Sequence, residues 1–173
     1  MFGFTNKRAI PAAALALLLG TAAYAASIHL KGTPTFTDNG LSLTASGSIA
    51  GLGNAATSVF LNAQANVAAT CTNGGQHQAP GQNPAPISVT GSVTITPSSS
   101  DKNGNTPFVV TTNPPPSTVS GAPDCPNPNW TEAINDLSFT SADIVVGSTT
   151  VASCTFSPPT DNGTVPKNEV SCQ

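Results

Sequence analysis

The stretch SVFLNAQANVAATC, residues 58–71, decides the fold class, because every second side chain is apolar and most of those between them are polar. One face carries valine, leucine, alanine and a cysteine, whereas the other face carries mainly asparagine, glutamine and threonine. A period of two over this length is typical of a strand in an antiparallel sheet with one buried face. The alanine content would also suit a helix, but the alternation and the presence of Asn62, Asn66 and Val67 favour a strand.

Similar patterns continue on both sides of this stretch. The segments LSLTASGSIAG, residues 41–51, and ISVTGSVTIT, residues 87–96, alternate aliphatic or small residues with serine and threonine. Asn-Gly turns and proline-rich connections separate the apolar segments. We therefore predict an all-β protein, an antiparallel β-sandwich of about seven strands with an immunoglobulin-like, Greek-key arrangement. Less regular strands are expected at four further places: residues 28–37, 106–112, 130–142 and 144–156.

The first 25 residues have the three parts of a secretory signal peptide. The basic pair Lys7-Arg8 precedes the apolar residues 10–19, and an Ala-Tyr-Ala cleavage motif follows at residues 23–25. An uncleaved membrane anchor is the alternative, but the apolar run is near the short limit for crossing a bilayer. Cleavage leaves one sandwich domain, residues 26–156, and a loop-like C-terminal extension, residues 157–173. We therefore predict a secreted protein, or one kept in the periplasm or at the cell surface, with no membrane insertion after cleavage.

The four cysteines of the chain indicate two disulfides. Their number is even, so all of them can pair, and disulfides persist in the oxidising surroundings of an exported protein. Four cysteines allow three pairings, and the sequence alone does not choose among them. We favour Cys71–Cys125, which would join two loops rich in proline and asparagine. The partner pair, Cys154–Cys172, would attach the C-terminal extension to the last strand. Each disulfide would contribute about 2–4 kcal/mol.

Charge and motif content exclude several classes of partner and chemistry. The chain after residue 25 has three lysines, no arginine and eight acidic residues, a net charge of −5. Nucleic acids and anionic membrane surfaces are bound through lysine and arginine, so neither is expected as a partner. The two histidines and four cysteines lack the close spacing of zinc ligands, and no serine lies in a nucleophile-elbow motif. We therefore predict no metal, no cofactor and no catalytic residue.

Three functional hypotheses follow from these observations. The first is a non-enzymatic secreted or cell-surface protein that binds a protein or glycan partner, or self-associates through edge strands. The second is a small carbohydrate-binding module with Trp130, Asn129 and Glu132 as its ligand face, although a lone tryptophan at a strand start is more often a core residue. The third is a secreted hydrolase that gathers His29 or His77 with an acid and a hydroxyl in a pocket. Glu132 and Asp136 share a parity along their strand, so we also expect both carboxylates to face solvent.

Overall fold

A computed structural model describes residues 27–82, 84–96 and 104–173, so the predicted signal peptide lies outside the described residues. Within these residues the chain is nearly all β, with two antiparallel sheets packed against each other, which confirms the predicted β-sandwich. Seven strands have four or more residues and five have two or three; a short 3₁₀ turn, Lys167–Glu169, is the one helical element described. The strands, in chain order, are β1 (His29–Leu30), β2 (Thr35–Asp38), β3 (Leu43–Ala50), β4 (Thr57–Thr72), β5 (Gln78–Pro80), β6 (Ile87–Ile95), β7 (Thr106–Thr111), β8 (Thr118–Val119), β9 (Thr131–Val146), β10 (Thr149–Phe156), β11 (Gly163–Thr164) and β12 (Val170–Cys172).

The smaller sheet is built around β3. Strands β1 and β2 pair along one edge of β3, β7 pairs along the other edge, and β11 extends the sheet beyond β2. The larger sheet is built around β4 and β9, which are each sixteen residues long and pair from end to end. Strands β6 and β5 lie along the free edge of β4, whereas β10 and β8 lie along the free edge of β9, with β12 beyond β10.

The alternation in residues 58–71 has the predicted consequence in the structure. Val59, Leu61 and Ala63 of β4 are buried between the sheets, while Asn62 and Gln64 on the opposite face are exposed. The core combines these residues with apolar side chains of both sheets, and Phe36 of β2 packs edge-on against Phe156 of β10 with ring centroids 5.0 Å apart. Burial of this apolar face is the main force that holds the two sheets together.

Two irregularities in β9 change which side chains face the core. The pairing with β4 skips Thr140 and Asn135, so each of these positions adds one residue to β9 without a partner. An extra residue reverses the parity of everything that follows it. Asp136 therefore lies on the outer face opposite Ala68, whereas Glu132 lies on the inner face opposite Cys71. The expectation that both carboxylates face solvent was wrong for Glu132, which is only 1% exposed.

Two predicted boundaries also differ from the structure. Strand β9 does not end near residue 142 but continues to Val146, where Gly147, with a φ of 61°, makes the turn into β10. The C-terminal extension is not loop-like, because β11 pairs with the smaller sheet and β12 with the larger one. Thr160 and Val165 in this extension are buried. Residues 157–173 therefore contribute to both sheets of the sandwich.

Both disulfides have the pairing that we favoured from the sequence. Cys71 bonds to Cys125 with a Cα–Cα distance of 5.6 Å, and Cys154 bonds to Cys172, its direct cross-strand neighbour. No free cysteine is present in the described residues. Two disulfides in a chain of this size are typical of extracellular proteins.

Candidate functional site

The two sheets have unequal lengths, and this leaves part of the larger sheet without a partner sheet. At about 3.3 Å per residue, β4 and β9 would each span about 50 Å, roughly twice the length of β3. Residues 113–124, which connect β7 to the turn before β9, cross the inner face of the larger sheet beyond the smaller one. We call residues 113–124 the covering segment. The covering segment joins the edge of β9 through β8, and where it crosses between the edges of the sheet it forms a roof rather than a close-packed layer.

The covering segment is attached to the larger sheet at several points. At its start, the Asn113 N–H donates to the Thr90 carbonyl oxygen of β6 at 2.8 Å. In its middle, β8 pairs with Glu132 and Ala133 of β9. At its end, the Gln82 N–H donates to the Asp124 carbonyl oxygen at 2.8 Å, and the Cys71–Cys125 disulfide follows immediately. These contacts fix the covering segment on both edges of the sheet.

A glycine allows the first of these attachments. A Cβ atom on Gly91 of β6 would lie 2.7 Å from both the Thr111 carbonyl carbon and the Thr112 Cα, and closer still to the Thr111 oxygen. Only a residue without a side chain permits this approach of two backbones. Gly91 therefore lets the end of β7 contact β6, where Asn113 begins the covering segment.

Two adjoining cavities lie under the covering segment, and we refer to them together as the groove. The larger, of about 600 Å³, is lined by residues 87–90 of β6, Asn113, the three prolines at 114–116, residues 118–120 and Ile134. The smaller, of about 180 Å³, lies toward the Cys71–Cys125 end of the sheet. Three apolar side chains line both cavities: Ile87, Val119 and Ile134. The two cavities therefore share part of their lining, and the groove is mainly apolar.

The acidic residues of the groove both line its smaller cavity. Glu132 and Asp124 both line the smaller cavity, together with Val67 and Pro84. The Asp124 N–H donates to Glu132 Oε2 at 3.3 Å, which fixes one oxygen of the buried carboxylate. None of the described residues that line either cavity is cationic. Electrostatic interactions are stronger here than in water because the surroundings are apolar.

The three residues predicted as a ligand face for sugar binding differ in their surroundings. Glu132 lines the smaller cavity, but neither Trp130 nor Asn129 lines either cavity of the groove. Trp130 is partly buried and Asn129 exposed, in a turn where the backbone N–H groups of both residues donate to Asn127. The three residues therefore sit in two different environments.

Both histidines lie away from the groove. His29 is exposed at the end of the smaller sheet. His77 is exposed in the β4–β5 connection, where the Asn73 side-chain oxygen accepts hydrogen bonds from the backbone N–H groups of Gly75 and His77, each at 2.9 Å. Neither histidine lines the cavities described above, so the groove gives no support to a pocket built on a histidine.

The outer face of the larger sheet is mainly polar. Cross-strand pairing places short hydroxyl and amide side chains in rows across β6, β4, β9, β10 and β12, and Gln64 donates to the Ser88 hydroxyl at 2.7 Å. Asp143 is a charged group on this face, and Phe60, 38% exposed, is a large apolar one. The most extended row contains Ser88, Gln64, Ser141, Thr155 and Ser171.

A second buried carboxylate, Asp38, lies at the end of β2 in the smaller sheet. Asp38 is 3% exposed. Its carboxylate accepts one hydrogen bond from the Gly40 N–H at 2.9 Å and another from the Thr160 hydroxyl. Burial raises the pKa of Asp38 above its ordinary value of 3.8, and the two hydrogen bonds only partly oppose this effect. The charges of Asp136 and Asp161 raise the pKa further. Because Thr160 also accepts the Phe139 N–H at 2.9 Å, Asp38 helps to hold the C-terminal extension on the core.

Sequence reasoning missed the groove, although one signal for it was present. Three consecutive prolines at 114–116 follow β7 directly, and proline cannot donate to a sheet ladder. Such a run predicts a chain that leaves the sheet and crosses a face, but it does not tell which face. The residues that line the cavity floor were visible only as ordinary strand positions.

No protein-family model, curated protein or solved structure matches this chain. Among the described residues, no group of three or more histidine, cysteine or acidic side chains has a geometry that could hold a metal ion. The described part of the chain also contains no helix of the length and apolarity needed to cross a membrane.

Proposed function

We propose that this protein is exported and acts as a non-enzymatic binding protein, with the groove as its ligand site. The observation that carries the proposal is the groove itself, a concavity of about 600 Å³ with an adjoining cavity of about 180 Å³ under the covering segment. Binding sites for small organic molecules have volumes of roughly 300–1,000 Å³ and are mainly apolar with a few polar groups. The ligand class that fits is a small molecule with an apolar body.

The construction of the groove supports this proposal. Disulfide Cys71–Cys125 and the Asn113–Thr90 hydrogen bond hold the covering segment at both ends. The prolines at 114–116 restrict the backbone of the segment, so little conformational entropy is lost when a ligand binds beneath it. Export is supported by the signal-peptide pattern in the sequence and by the two disulfides. We also propose that the sandwich is immunoglobulin-like, and this part of the proposal rests on the strand pattern alone.

The groove can be tested with a neutral, apolar fluorescent probe such as N-phenyl-1-naphthylamine. Ser120 is exposed at the margin of the larger cavity, so Ser120→Trp should fill the opening and weaken probe binding at least about tenfold. Ser148→Trp is the matched control, because Ser148 is exposed in the β9–β10 turn. Absence of probe binding to the wild-type protein, or equal binding by Ser120→Trp, would rule out the groove as the site.

The same pair of variants distinguishes binding in the groove from binding on the outer face of the larger sheet. The hydroxyl and amide rows on the outer face of the larger sheet favour a glycan or a second copy of the chain as an alternative partner. Glycan binding or self-association that is unchanged in Ser120→Trp would place the interaction on that face.

A further inference from the structure

We propose that the groove binds an amphiphile with an aliphatic body and a single ammonium group, and that Glu132 is the residue that recognises the ammonium. This inference rests on the proposed function and assigns a ligand class to the same groove. Two independent features carry it: the apolar lining of the larger cavity, and the two acidic residues, Glu132 and Asp124, that line the smaller one.

Glu132 is held in a position suited to recognition. It is 1% exposed and lines the smaller cavity beside the apolar residues Val67 and Ile134. The Asp124 N–H holds one carboxylate oxygen at 3.3 Å, which limits the rotation of the side chain. An ionised carboxylate has about four acceptor positions, and an ammonium group has three donors. The geometry therefore leaves acceptor capacity that an ammonium group in the smaller cavity can use.

The acidic lining of the smaller cavity determines which sign of charge the head group of the ligand should carry. Asp124 is the second acidic residue of the smaller cavity, and no described residue that lines the groove is cationic. A cation that enters this apolar site offsets the cost of a buried carboxylate, whereas a neutral head group does so only partly. An anionic head group would be repelled by the Glu132 carboxylate. The expected order of affinity for ligands of one chain length is ammonium, then alcohol, then carboxylate.

The apolar part of the ligand has a separate place. Ile87, Val119 and Ile134 line both cavities, so an aliphatic chain that begins at Glu132 can continue into the larger cavity without leaving apolar surface. The prolines at 114–116 form part of the lining beyond these side chains. Each methylene group buried along this path adds favourable hydrophobic energy. Both parts of the amphiphile are therefore required for tight binding.

The test is displacement of the neutral probe by n-decylammonium and by n-decanol, which have the same chain and differ in the charged group. A charge-assisted hydrogen bond predicts that decylammonium displaces the probe at a concentration at least about tenfold lower than decanol. Glu132→Gln keeps the size of the side chain and an acceptor for the Asp124 N–H, but removes the charge. In this variant the preference should fall to about twofold or less.

Asp143→Asn is the matched control, because it removes the same charge from the exposed outer face of the same strand. This variant should keep the preference for decylammonium. A preference retained in Glu132→Gln would overturn the assignment of Glu132 while leaving the groove as a binding site. Equal displacement by both ligands in the wild-type protein would overturn the ammonium class, and displacement by neither ligand would count against the proposed function itself.

A measurement on the wild-type protein covers the case in which Glu132→Gln fails to fold. The backbone amide proton of Asp124 forms a hydrogen bond to the Glu132 carboxylate, so the NMR chemical shift of this proton reports on the carboxylate. Decylammonium should shift this resonance more than decanol does at equal groove occupancy. Equal shifts by the two ligands would contradict recognition by Glu132.

Discussion

The contact between β6 and β7 predicts a large effect for a very small substitution, Gly91→Ala. A Cβ at this position would lie 2.7 Å from the Thr111 carbonyl carbon and from the Thr112 Cα, whereas ordinary contact begins at 3.4 Å. Both neighbours are backbone atoms, so no side-chain rotation can relieve the overlap. The two strands must separate by about 1 Å at the point where Asn113 leaves β7.

The cost can be estimated from the contacts that change. Overpacking of a close-packed site costs about 1–3 kcal/mol, and loss of the 2.8 Å hydrogen bond from Asn113 to Thr90 adds about 1 kcal/mol. Replacement of glycine reduces the entropy of the unfolded chain, which offsets about 0.5–1 kcal/mol. We expect Gly91→Ala to lower the free energy of unfolding by about 2–3 kcal/mol, and the melting temperature by about 5–10 °C.

Urea unfolding under non-reducing conditions measures this effect. Gly74→Ala is the matched control, because a Cβ there meets no atom within 4 Å and its φ is not in the left-handed region. The control should differ from the wild type by less than about 0.5 kcal/mol. A Gly91→Ala protein as stable as the control would refute the close approach of the two strands. Since Asn113 begins the covering segment, the same variant should also bind the neutral probe more weakly.

Two further predictions concern buried charge and the disulfides. Because burial raises the pKa of Asp38 above 3.8, its contribution to stability is complete below pH 3.8 and declines as pH rises through the raised pKa. Asp38→Asn should abolish this decline, so the stability of the wild type relative to the variant should fall between pH 3 and 7 in urea unfolding; a constant difference would contradict the assignment. Replacing Cys71 and Cys125 together by alanine opens a 54-residue separation and should cost about 4 kcal/mol, against about 3 kcal/mol for the 18-residue separation of Cys154 and Cys172. Guanidinium unfolding of both double variants measures the costs, and a larger loss for Cys154 and Cys172 would contradict an origin in chain entropy.

The main strands could be predicted from sequence because their pattern is local. The side chains of β4 alternate between the two faces of the sheet over sixteen residues, and the more apolar face is the buried one. Strand β9 shows where this reasoning fails. Its parity reverses at Thr140 and again at Asn135, and each irregularity depends on pairing with β4 rather than on the identity of the residue. The inner position of Glu132 therefore could not be predicted from β9 alone.

The short strands of the C-terminal extension could not be predicted from the sequence for a related reason. β11 and β12 have two and three residues, too few to show a period, and they form because the chain returns to edges that β2 and β10 already provide. The groove depends on the same kind of long-range information. Its lining comes from β4, β6, β9, residues 84 and 85 and the covering segment, and only the three prolines of the covering segment gave a local sign of it.

The placement of Glu132 connects the irregularity in β9 to the proposed function. Without the extra residue at Asn135, Glu132 and Asp136 would share the outer face, and the smaller cavity would have Asp124 as its only acidic lining residue among those described. The irregularity moves one carboxylate into an apolar site, where it costs stability unless it is compensated. The Asp124 N–H supplies part of that compensation and joins the carboxylate to the covering segment. A buried carboxylate fixed in this way, beside the smaller cavity of an apolar groove, is the feature of the molecule that best distinguishes a ligand site from a gap in packing.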